Sequence, residues 1–288
     1  MERITFKNAY GASVVIDYEG PYILSALDGF DAVEINPKVT KGFGQIGYTL
    51  EGVDLGMRIM TINYMIASNS LQEAYSSRAA AVSVFNPLAG NGVLTYENDA
   101  VQRAITCSVT AIPKIVERNG ILAEYSVVLT AQNPLFYDPI ATTQLVQDFV
   151  SGLRFPIRFN PTIRFSRRGD ALNPNIIGDV PSPIRIEFRG GCTNPQITNT
   201  TTGEIIRVGS DTEPITLDTG DKLIVNTSFG QKTADLIRSD GSIERVDGYI
   251  SDDSTFFSLP LGRSKITFLA LSGQPQAYVS YRNWWLGV

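Results

Sequence analysis

Apolar and polar positions alternate along most of this chain, and alternation with a period of two marks strands that bury one face. Near the start, Val14, Ile16 and Tyr18 recur at every second position and predict a half-buried strand. In the run Ile59-Met60-Thr61-Ile62-Asn63-Tyr64-Met65-Ile66 apolar residues occupy both parities, which predicts a strand buried on both sides. Strand signals return at Val93 to Tyr96. Ile105, Cys107, Val109 and Ala111 then alternate before Asn119-Gly120, and Ala123, Tyr125, Val127 and Leu129 after it, so residues 105–131 are expected to form a hairpin. From Pro183 onward short alternating runs such as Ile184, Ile186 and Phe188 are separated by turns at Asp218-Thr219-Gly220-Asp221, Ser239-Asp240-Gly241 and Leu261-Gly262. Many short strands spaced by turns predict a β-sandwich.

Two stretches break this rhythm. Leu71, Ala74, Tyr75, Ala79, Val82 and Phe85 form a stripe at helical spacing, Ser70 with Glu73 makes a capping box, and Asn86-Pro87 stops the run. One helix is therefore expected over about 71–85. Residues 31–51 are rich in glycine and contain Pro37, yet Val33, Ile35, Val39, Phe43, Ile46, Tyr48 and Leu50 are spaced through them. That is too apolar for a solvated loop, so the segment is expected to be an extended arm that needs a partner surface. Ile35, Val39, Phe43, Ile46, Tyr48 and Leu50 are the candidate contacts to a neighbouring subunit, with glycines 42, 44 and 47 letting the backbone bend.

The length of 288 residues, at roughly 150 per domain, points to two domains. Asn133-Pro134 and Asp138-Pro139 mark a break, and 140–181 has the least regular pattern, with prolines at 156, 161 and 174. The expected organisation is a first domain at 1–138, a connecting segment at 139–181 and a sandwich at 182–288. Charge follows the same division: residues 1–138 hold 9 basic and 14 acidic side chains, and 139–288 hold 15 of each.

A net charge of −5 argues against general affinity for nucleic acid or anionic membrane. The chain has no histidine, which removes the Ser-His-Asp triad, Cys-His pairs and the usual zinc sites. Cys107 and Cys192 cannot build a disulfide framework, which fits a reducing place of assembly. The first residues lack the basic-then-apolar run of a secretory signal, and the most apolar stretch falls far short of the roughly 20 residues that span a bilayer.

Several motifs invite chemistry and are better read as structure. Gly42-Phe43-Gly44-Gln45-Ile46-Gly47 matches GxGxxG, but it neither follows a parallel strand nor opens a helix, so no dinucleotide is expected. Arg154-Phe155-Pro156-Ile157-Arg158-Phe159, continuing to Arg168, interleaves arginine with aromatics as single-stranded nucleic acid would require, and an edge strand or linker gives the same pattern. The carboxylate pairs Asp28/Asp31, Asp218/Asp221 and Asp252/Asp253 sit in turn contexts where aspartate is favoured, and no calcium loop is present. Trp284 and Trp285 could stack on sugar rings, but beside Tyr278 and Tyr281 they are read as packing in a final core strand. Asn199-Thr-Thr and Asn226-Thr-Ser match glycosylation acceptors in form only.

The stretch Gly178-Asp179-Val180-Pro181-Ser182-Pro183-Ile184-Arg185-Ile186-Glu187-Phe188-Arg189-Gly190, then Asn194-Pro195-Gln196-Ile197-Thr198-Asn199 and Thr202-Gly203-Glu204, resembles the C-terminal domain of siphophage distal tail proteins. So do Gly220-Asp221-Lys222-Leu223, Ser254-Thr255-Phe256-Phe257-Ser258-Leu259 and the ending Tyr281-Arg282-Asn283-Trp284-Trp285-Leu286-Gly287-Val288. The first half matches that family in the order of its elements more than in its residues. The resemblance implies a mainly β chain: an N-terminal split-barrel-like β domain with one helix and a long arm, and a C-terminal galectin-like β-sandwich. It also implies a structural virion protein of the tail tip, not an enzyme, with no cofactor, assembled in the host bacterial cytoplasm. As a homo-hexameric ring it would join the tail tube and tape-measure proteins to the tail-associated and receptor-binding proteins, without reading nucleic acid or inserting into membrane. The alternatives are a carbohydrate-binding or sugar-cleaving virion protein, for which Trp284 and Trp285 would be the glycan contacts, and a hub of a bacterial tail-like particle.

Overall fold

A computed structural model of the chain describes residues 1–119, 121–146, 148–151, 166–169, 171–273 and 275–288. Most of the arginine-aromatic alternation, at 152–165, lies outside the described residues, as does Gly120 of the expected hairpin turn. The chain is mainly β, as the alternation predicts, and divides into two compact units: Met1–Pro139 together with Trp284–Val288, and Ile140–Asn283.

In the first unit the strands are β1 (Arg3–Lys7), β2 (Ser13–Ile16), β3 (Tyr22–Asp28), β4 (Ile35–Thr40), β5 (Thr49–Leu55) and β6 (Arg58–Ile66). After helix α1 (Leu71–Val84) come β7 (Gly92–Glu97), β8 (Gln102–Asn119), β9 (Leu122–Ala131) and β10 (Phe136–Tyr137). The main sheet runs β2-β1-β7-β8-β9-β6-β3, with β10 against β8, and all its pairings are antiparallel. Its inner face carries Ile4, Phe6, Ile16, Leu94, Ile105, Val127 and Leu129, each buried, as period two requires. Phe6 stacks on Phe85 with ring centroids 5.0 Å apart, and Tyr64 on Tyr125 at 5.7 Å. Each such side chain taken from water contributes about 1.5–3 kcal/mol.

Two sequence expectations change here. β6 does not bury both faces: Arg58, Met60, Ile62, Tyr64 and Ile66 point inward, while Ile59 and Met65 face outward. The helix forms and is capped as expected, since Ser70 Oγ accepts from the Glu73 backbone N–H at 3.2 Å, but Glu73 reaches back to the N–H of Asn69 rather than Ser70. Its buried side overlaps the predicted stripe only at Ala74, Val82 and Phe85. Ala74 and Ser77 are half-buried and Ala81, Val84 and Phe85 are buried, whereas Leu71, Tyr75 and Ala79 face out. Small residues bring the helix close: Tyr22 donates its hydroxyl hydrogen to the Ser77 carbonyl at 2.8 Å, and Asn8 Nδ2 donates to the Val84 carbonyl at 3.1 Å. The latter supplies a partner to a carbonyl of the helix's last turn.

The second unit is a sandwich of antiparallel sheets. The larger has the order Thr142–Leu145, Gln276–Tyr281, Ser182–Arg189, Lys222–Asn226, Thr233–Ile237, Ile243–Arg245. A four-stranded sheet runs Ala171–Leu172, Ile266–Leu269, Gln196–Asn199, Ile205–Arg207. Ile184, Ile186 and Phe188 stand opposite Tyr281, Val279 and Ala277 and share one buried cluster with Ile197, Ile206 and Ile266. Residues 142–145, 171–172 and 175–176, expected in a connecting segment, are strands of this unit, and 284–288, expected in the sandwich, lie in the first.

Candidate functional site

The arm foreseen at 31–51 is a hairpin that, among the described residues, pairs with no other strand: β4 and β5 form their own two-stranded sheet. Its register puts Ile35 opposite Leu55, Pro37 opposite Val53 and Val39 opposite Leu50, so these six lie on one face. Asn36 opposite Asp54, Lys38 opposite Gly52 and Thr40 opposite Thr49 make the other face, where Lys38 Nζ lies 2.6 Å from an Asp54 carboxylate oxygen. A bulge at Glu51 creates this sorting, because the extra residue moves Leu50 onto the face of Val53 and Leu55. At the base, Gly56 N–H donates to the Glu34 carbonyl at 2.8 Å.

The tip holds the GxGxxG match, and there the glycines do turn work: Gly44 and Gly47 have φ of +72° and +85°, in the left-handed region. The Gln45 side chain accepts from Gly42 N–H and donates to Thr49 Oγ1, both at 2.9 Å. Lys41 sits over the Tyr48 ring, 5.4 Å from its centroid. Phe43 and Ile46 project fully, with exposures of 112% and 101%. All six predicted contact residues are thus exposed and gathered on one hairpin. Sequence reading missed Pro37, Val53 and Leu55, although the alternation from Val53 to Leu55 carried the signal.

An isolated two-stranded hairpin is marginal in water, and a one-sided apolar ribbon along it is surface that a partner normally covers. Burial of its side chains, at about 1.5–3 kcal/mol each, is the largest favourable term the arm can offer.

The other candidate residues are placed elsewhere. Trp284 and Trp285 form a short strand against β10, not a final strand of the sandwich with Tyr278 and Tyr281. Trp284 packs on Tyr137 with centroids 5.3 Å apart, and Trp285 Nε1 donates to Asp138 at 2.8 Å under the Arg103 guanidinium, 4.1 Å from the ring. Of the carboxylate pairs, Asp218 and Asp221 are joined in a turn, where Asp221 Oδ2 accepts from Asp218 N–H at 3.0 Å and from Arg238 at 3.0 Å. Burial raises the Asp221 pKa, but the N–H of Asp218, the Arg238 side chain and the N–H of Ser239 outweigh it and hold the carboxyl below its usual range. Among the described residues no group of three or more acidic or cysteine side chains is placed to hold a metal ion, and no helix is long and apolar enough to cross a membrane.

Residues 177–285 match the family model of the siphovirus-type tail component, C-terminal domain. The SPP1 Dit crystal structure, whose protein is described as a paradigm of the hub adsorption apparatus in phages infecting Gram-positive bacteria, is similar over 98% of both chains, with a TM-score of 0.65 and 11% identity. A chain of the phage P2 baseplate in its activated conformation with Ca is similar over 100% of both, with a TM-score of 0.54 and 12% identity. At such identities these structures establish the fold. A search of curated proteins finds no match. Residues 177–285 thus match the siphovirus-type tail component, C-terminal domain, and the chain as a whole is similar in fold to SPP1 Dit.

Proposed function

We propose that this chain is a distal tail protein: a structural virion protein that closes a ring, hexameric by resemblance, at the tip of a long non-contractile phage tail. In this reading the ring joins the tail tube to the tail-associated and receptor-binding proteins for host attachment, and the chain itself carries out no catalysis. The observation that supports ring closure is the self-paired arm, whose apolar face of Ile35, Pro37, Val39, Leu50, Val53 and Leu55 is exposed among the described residues. A surface that recurs identically on every copy and finds its complement elsewhere on the next copy gives a head-to-tail contact, and such contacts form a ring where the rotation between copies closes and an open filament where it does not. Its tip residues Phe43 and Ile46 add two further anchors at the far end of the lever.

Negative-stain imaging and light scattering of the purified chain test this reading. Rings of six copies are the expected result. A chain that stays monomeric at high concentration, with and without the tail tube, would overturn it. The sugar-binding alternative loses its best residues, since Trp284 and Trp285 are half-buried and occupied by Tyr137, Asp138 and Arg103.

A further inference from the structure

The root of the arm is held by a charge that the ring reading does not use. Arg58 opens β6 directly after the arm, and its side chain is 1% exposed. Its Nη1 donates to the carbonyls of Gly29 at 2.8 Å, Phe30 at 3.0 Å and Ala32 at 2.9 Å, all in the segment that leads from β3 into the arm. Nε donates to the Pro134 carbonyl at 2.7 Å, just before β10, and Nη2 donates to the carbonyl of Leu286. The guanidinium lies 4.8 Å from the centroid of Phe136. Nη1 has two N–H groups for its three carbonyls, so one of these bonds is shared, and together with the Nε and Nη2 bonds they offset a burial that would cost an unpaired cation several kcal/mol.

The same three segments meet again around this bond set. Phe30 stacks on Phe136, with centroids 6.2 Å apart, and Phe136 pairs in register with Trp285. Arg103 lies over Trp285 and donates to the carbonyl of Gly287. Gly287 lies against the root, where a Cβ would be in van der Waals contact with the Asp31 carbonyl oxygen at 3.4 Å. Gly29, with φ of +79°, is far tighter on the other side: a Cβ there would fall 2.0 Å from the Ile59 carbonyl oxygen, which excludes any other residue. The chain enters the second unit after residue 139 and returns at 284, so the returning segment is also the covalent tether of that unit.

We infer that residues 284–288 are a clasp, closed by Arg58 over residues 29–32, that fixes the direction in which the arm leaves the first unit. Arg58 is a positioning residue for the arm, and the strand returning from the second unit is the part that locks it. The inference rests on the arm being the assembly element, but the clasp is read out locally and independently of rings. Hydrogen exchange of the full chain is compared with that of a chain lacking 284–288 and of Arg58→Gln. The expected result is an increase of roughly tenfold in exchange at 29–34, with β1 and the sandwich strand 182–189 unchanged. Adding the deletion to Arg58→Gln should change little more, because both open one device. Unchanged exchange at 29–34 in the deletion chain would overturn the clasp, as would a uniform rise over the whole first unit, which is what a general stabiliser gives. Should Arg58→Gln not fold, the deletion alone decides. An intact chain that never formed rings would count against the ring, not the clasp.

Discussion

At the level of single residues, the burial of polar groups decides how stability follows pH. Cys107 is buried and its thiol is pushed up to about 12, and Cys192 to about 11, in both cases by removal from water. A raised folded pKa means stability that is complete below the unfolded value of about 8.5 and is lost as pH climbs toward the folded one. Urea midpoints should therefore fall from about pH 8.5 upward, and Cys107→Ala should flatten that fall. Asp221 works in the opposite sense: its folded pKa is depressed, so its contribution is full above about 3.9 and vanishes as pH drops through the folded value. Asp221→Asn should cost about 1.5–3 kcal/mol near neutrality, by loss of charge-assisted bonds to a buried side chain, and progressively less as pH falls through the folded pKa. A cost that stays constant across this range would contradict the assignment. The turn role of Asp218 and Asp221 was legible in the sequence, because Asp-x-Gly-Asp between two apolar runs is turn chemistry. Arg58 was not. An arginine at the start of an apolar run looks like a solvated strand end, and its carbonyl partners come from positions as far away as 286.

Among the elements, strands were legible and faces less so. The helix was placed by its cap and its proline stop, and Ser70→Ala should cost about 1 kcal/mol in thermal or chemical unfolding, with no change in assembly. Its buried face was foreseen only at Ala74, Val82 and Phe85, because close packing also selected the small Ser77 and Ala81 over the larger Leu71 and Tyr75. In β6 the outward Ile59 and Met65 mimicked a doubly buried strand, a pattern that a sheet with an apolar outer face also produces. The arm was legible as an apolar stretch without helical or simple strand period. Its one-sided face was not, because the bulge at Glu51 breaks the parity count. Leu50→Asp together with Val53→Asp should leave circular dichroism unchanged, since both side chains are exposed in the single chain, and should abolish rings in light scattering. Loss of the native spectrum instead would mean that this face is covered within the chain.

For the whole molecule, two cores share one chain that crosses between them twice. The break near 138 was visible as two Asx-Pro pairs and a change in charge balance, but nothing in the local pattern of 284–288 says that it rejoins the first unit. Residues 140–283 enclose a complete buried cluster, so that fragment should unfold cooperatively by itself, and calorimetry showing no transition would refute its independence. The central claim is that the arm of one copy binds the next. A photoreactive side chain at position 50 tests it most directly, because the group reports whatever covers that face. Cross-links between copies, forming a ladder that stops at six, are the result this account predicts, whereas cross-links confined to single chains would contradict it.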